Sequence, residues 1–191
     1  HRGEVIGALL LNDGNVLSWS SDCTLRIWNL TDRYHSEVLH GHSSKVNGAL
    51  ELSDGSIISW SKDTTLHLWN RHSLKSPTVF RGHKSSIGGV SVVGGGRVVS
   101  WSGDPESTSR RRGDRALCMW ELSSGRLIWS TVAHERIIRG VILLSTGSIL
   151  SWSLDGTLAR WNALDGHLQQ RYTGHSYWVM GAFELDCNRL I

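Results

Sequence analysis

Apolar residues in this chain come in short alternating runs, and no stretch shows the three-and-four spacing of an amphipathic helix. Between residues 46 and 80 the pattern is easiest to follow. Val46–Leu52 alternates around small residues, Ser53-Asp54-Gly55 is a turn signal, and Ser56–Ser61 is a second short run rich in isoleucine and tryptophan. Asp63-Thr64 marks a further tight turn before Thr65-Leu66-His67-Leu68-Trp69, and Pro77-Thr78-Val79-Phe80 supplies the last run. These runs predict four antiparallel strands and an all-β fold. Two prolines in 191 residues suit a chain that is mostly paired strand, because proline cannot donate to a ladder.

The same pattern recurs. Ser-Trp-Ser stands at 18–20, 59–61, 100–102 and 151–153, and a second tryptophan closes each copy at Trp28, Trp69, Trp120 and Trp161, at intervals of 41, 51 and 41 residues. His42, His83, His134 and His175 keep that beat, and His1 precedes Trp28 by the same 27 residues that separate His42 from Trp69. The long interval is one unit carrying about ten extra residues, an insertion that repeat arrays place in loops. The chain thus reads as repeats over approximately 1–41, 42–82, 83–133 and 134–174, with a partial fifth at 175–191.

Gly41-His42, the alternating strand, Asp54-Gly55, Ser59-x-Ser61-x-Asp63 and Thr65-Leu66-x-Leu68-Trp69 together resemble the tryptophan–aspartate (WD) repeat of β-propellers. The resemblance covers essentially the whole chain. The dipeptide that names the family departs from the pattern, reading Trp28-Asn29, Trp69-Asn70, Trp120-Glu121 and Trp161-Asn162. It implies a β-propeller of four-stranded antiparallel blades, each holding a buried His/Ser/Asp/Trp tetrad. By position the tetrads are expected to be His1, Ser20, Asp22 and Trp28; His42, Ser61, Asp63 and Trp69; His83, Ser102, Asp104 and Trp120; and His134, Ser153, Asp155 and Trp161. In the third set Asp104 keeps the Ser-x-Asp spacing and is preferred, whereas Asp114 keeps the six-residue distance to Trp120. In the fourth, Ala133 replaces the glycine before the histidine. Propellers of this kind usually close with about seven blades. Four and a fraction leave open edges, so the chain is expected to be a fragment of a longer propeller or to close by self-association.

A Ser, a His and an Asp in each unit invite a catalytic reading. Repetition argues against it, because catalysis needs one accessible site, whereas these recur with a tryptophan partner in every unit. Alternation sends Trp60 to the face opposite Ser61, toward a neighbouring blade, with a ligand-stacking aromatic cage as the functional alternative. The net charge of +3 is too modest to demand nucleic acid. Cys23, Cys118 and Cys187 show no paired metal-ligand spacing and read as reduced thiols of an intracellular, cytoplasmic protein. Neither a metal nor a cofactor is expected, since five of the ten histidines hold the repeat position and the rest follow no ligand spacing. No apolar run approaches a membrane span, and no secretory signal precedes His1. Gly94-Gly95-Gly96-Arg97 leads into a strand and is a hairpin turn, not a phosphate loop.

What remains is a rigid platform carrying function on its loops. The resemblance implies partner contacts three and five residues after each tetrad histidine and one before the aspartate. In the last units these are Ile137, Arg139, Leu154, Trp178 and Met180, rich in the residue types that anchor interfaces. Arg110-Arg111-Arg112, in the inserted segment, is the one basic run and a candidate contact for an acidic partner. The expected role is a non-catalytic scaffold or sensor module of a larger signalling protein, binding a protein or peptide on one face. A propeller enzyme or small-ligand binder using the axial channel is the alternative.

Overall fold

In the computed structural model, which describes residues 1–31, 36–71, 73–103, 114–186 and 189–190, the alternating runs become strands and no described residue is helical. The chain divides into two units, His1–Arg81 and Gly82–Ile191. In the first unit, β1 (Val5–Leu10), β2 (Val16–Ser20), β3 (Thr24–Trp28) and β4 (Ser36–His40) pair in chain order as one antiparallel sheet. A second sheet follows from β5 (Val46–Glu51), β6 (Ile57–Ser61), β7 (Thr65–Asn70) and β8 (Ser73–Arg81). The last strand is longer than the sequence pattern predicts, beginning four residues before Pro77. Proline is tolerated there because β8 is the outermost strand of its sheet.

The second unit repeats this arrangement. Its sheets are β9 (Ile87–Gly94), β10 (Arg97–Ser102), β11 (Ala116–Glu121) and β12 (Leu127–Val132), then β13 (Ile138–Leu143), β14 (Ser148–Ser153), β15 (Leu158–Asn162) and β16 (Leu168–Tyr172). The short hairpin β17 (Glu184–Asp186) with β18 (Arg189–Leu190) ends it.

Within each unit the core lies between sheets. Leu17, Leu25 and Leu39 of the first sheet pack with Val46, Ala49, Ile57 and Trp69 of the second, and Trp19 lies against this cluster. In the second unit Leu117 and Met119 meet Ile138, Val141, Ile149 and Trp161, with Trp101 packed alongside. Each fully buried Leu or Ile contributes about 1.5–3 kcal/mol relative to exposure. Trp19 and Trp101 thus face the following sheet, as alternation predicts.

One feature of the strand pairing recurs in all four sheets and fixes where the functional side chains fall. Gly7, Gly48, Gly89 and Gly140 stand directly opposite Trp19, Trp60, Trp101 and Trp152. Each indole folds over its glycine so closely that a methyl group on Gly48 would lie 2.2 Å from Trp60 Cζ2. Just before that glycine the register slips, as where Val46 pairs with Ser61 and Gly48 with Trp60. The slip leaves one extra residue in each inner strand: Ile6, Asn47, Gly88 and Arg139. A bulge of this kind bends the strand and re-aims the side chain of the extra residue.

Candidate functional site

The polar chain inside each sheet starts from the turn between its second and third strands. In the second sheet Asp63 Oδ1 accepts from Thr65 N at 2.9 Å and from its hydroxyl at 2.6 Å, while Oδ2 accepts from Ser43 N at 2.9 Å. His42 Nδ1 lies 2.8 Å from Asp63 Oδ2, and its Nε2 lies 2.9 Å from Ser59 Oγ. Trp69 Nε1 donates to that same oxygen at 3.0 Å. An Nδ1–H pointing at the carboxylate leaves Nε2 to accept the Ser59 hydroxyl proton, so every member has a partner.

The same links recur. Trp28, Trp120 and Trp161 donate to Ser18, Ser100 and Ser151 at 2.7, 2.7 and 2.9 Å. Nε2 of His1, His83 and His134 lies 2.8, 2.7 and 2.8 Å from those hydroxyls.

Two expectations are corrected here. The linking hydroxyl is the first serine of each Ser-Trp-Ser, not Ser20, Ser61, Ser102 or Ser153. Both serines face the same side of the strand and are equally buried; what separates them is their place along it, Ser59 level with the indole and imidazole and Ser61 beside the turn. Ser61 Oγ instead accepts from Asp63 N at 3.0 Å and donates to Lys45 O at 2.8 Å, holding the turn. Ser20 and Ser153 accept from Asp22 N and Asp155 N in the same way, and Ser102 accepts from Ala116 N. The second correction concerns the third carboxylate. Asp114 approaches His83 Nδ1 at 3.4 Å and accepts from Lys84 N at 2.7 Å. Asp114 therefore takes the place assigned to Asp104, and the inserted residues precede the carboxylate rather than follow it. Asp104 itself lies outside the described residues, as do Arg110, Arg111 and Arg112.

Burial pushes the Asp63 and Asp155 carboxyls up, but hydrogen bonds from the facing histidine, from Thr65 or Thr157 and from a backbone N–H hold both well below the usual carboxylate range. Asp114 is held down similarly, with His83 the leading donor. His83 is the converse case: burial opposes its charge, yet Asp114 and Cys118 raise it to about 9. Cys118 Sγ lies 3.8 Å from His83 Nδ1.

Hydroxyl, imidazole and carboxylate are connected here in the order a hydrolase uses, but the environment forbids that chemistry. Ser59, Ser100 and Ser151 are completely buried, and each oxygen is already taken by an indole N–H. No substrate carbonyl can approach such a nucleophile.

His67 adds a group that the other sheets lack. Its ring stacks on His42 with centroids 3.8 Å apart and planes 15° apart, and its Nδ1 is buried without a hydrogen-bond partner. Burial, reinforced by the neighbouring His42, lowers its pKa to about 4. His42, Asp63 and His67 bring three ligand atoms within 4.8 Å, yet near-parallel ring planes cannot both contain one metal ion. The glycine before the tetrad histidine reflects the same crowding. A methyl group on Gly41 would lie 2.8 Å from His67 Nδ1, whereas Ala133 fits in the fourth sheet because Ala159 occupies the place of His67 in the same buried cluster.

The expected partner residues divide between two clefts of the second unit. Leu154 and Trp178 line one of about 410 Å³ together with Glu135, Arg136, Ser176 and Tyr177. Ile137 and Arg139 line another of about 110 Å³ with Gly88, Trp101 and Gly103. Ile137 is 5% exposed and forms wall rather than rim, while Trp178 is 53% exposed. Met180, 60% exposed, lines neither cleft. Arg136, Glu135 and Trp101 are members that the positional rule passes over; the basic-apolar run Arg136-Ile137-Ile138-Arg139 is the signal that could have found the first.

No protein-family profile matches the chain. Over 64 residues it is 34% identical to protein sof1 of Schizosaccharomyces pombe, covering 34% of this chain and 15% of that protein. It is 30% identical over 78 residues to protein Notchless of Drosophila melanogaster, covering 40% of this chain and 16% of that protein. The mouse (Mus musculus) apoptotic protease-activating factor 1 is 30% identical over 67 residues, or 35% of this chain and 5% of the relative. The matched stretches are thus a small part of each relative's length. Among solved structures, the WD40 β-propeller domain of Doa1 superposes with a TM-score of 0.69 at 24% identity, covering 96% of this chain and 58% of that one.

Proposed function

We propose, from the premise that this chain belongs to the WD-repeat β-propeller family, that it is a non-catalytic docking platform for a protein or peptide, in the service of a larger signalling or regulatory protein. The observation that carries this reading is the division of labour in each sheet. The tetrads are sealed: their hydroxyls are buried and hydrogen-bonded, so they support the sheets and offer nothing to a ligand. In the second unit Leu154 and Trp178 line one cleft and Ile137 and Arg139 another, so aromatic, aliphatic and guanidinium groups gather there.

The docking face is therefore the histidine side of the second unit, around Ile137, Arg139, Leu154, Trp178 and Met180, with Arg110, Arg111 and Arg112 assigned to the same face from sequence alone. Cytoplasmic placement is part of the proposal, supported by Cys23 and Cys118 being free thiols.

Affinity capture with the wild-type chain against a Trp178→Ala/Arg139→Ala double variant tests it. The double variant is expected to fold normally and to lose the captured partners; full retention of every partner refutes the assignment of the face.

A further inference from the structure

No further inference is drawn: the strongest candidate, the cleft of about 110 Å³ that Gly88, Trp101 and Gly103 line with Ile137 and Ile138, belongs to the docking face already described.

Discussion

Ser59→Ala separates the two serines that the sequence could not tell apart. Ser59 is fully buried, and its oxygen is the one link between Trp69 Nε1 at 3.0 Å and His42 Nε2 at 2.9 Å. Removing it strands an indole N–H and an imidazole nitrogen in the core, each costing about 1–3 kcal/mol, so the variant should lose about 2–6 kcal/mol. Ser61→Ala is the control. Ser61 is equally buried, but its partners are Asp63 N and Lys45 O at the turn, beside partly exposed residues where water can replace the hydroxyl. Its loss should cost about 1 kcal/mol. Urea unfolding followed by circular dichroism gives both values, and a double-mutant cycle with Trp69→Phe isolates the indole–hydroxyl coupling at about 1 kcal/mol. Equal losses for the two serines, or strict additivity in the cycle, would refute the tetrad as drawn.

Three further outcomes follow from the packing and the protonation states. His67 is protonated more readily in the unfolded chain than in the fold, where its pKa is about 4. Its contribution is therefore intact above pH 6.5 and falls away as the pH drops toward 4, by about 3 kcal/mol in full, and His67→Leu should flatten that part of the urea-midpoint profile. His83 has the opposite sign: with a folded pKa of about 9, it stabilises the second unit below pH 6.5 and loses that contribution as the pH rises through 9, a loss that Asp114→Asn should abolish. Gly48→Ala puts a methyl group 2.2 Å from the Trp60 ring and should cost about 1–3 kcal/mol, recovered in part by Trp60→Leu; an unchanged melting temperature for the single variant would contradict the close glycine–indole contact.

The repeat length, the strand count and the face taken by Trp19 and Trp101, the counterparts of Trp60, were legible because each follows from a period. The linking serine was not, since a period of two gives Ser59 and Ser61 the same side and does not say which of them lies level with the indole and the imidazole. Asp114 illustrates which spacings can be trusted. Most of the interval from carboxylate to indole runs along the paired strand β11, whose geometry fixes its length, whereas the serine-to-carboxylate interval crosses a loop that can lengthen freely. The bulge at Arg139 left no mark in its own residue type; only the glycine after it, forced by the facing indole, betrayed the slip. The division of the docking residues between two clefts depended on which neighbours meet, information that no single strand contains.

Because every sheet carries both its own indole and the glycine that seats it, gaining or losing a whole unit creates no orphaned half of that contact. That contact is therefore copied whole with each unit, while the extra residue beside the glycine stands outside it and is at liberty to diversify. An array of this design can acquire new binding specificities one unit at a time, with its scaffold left unchanged.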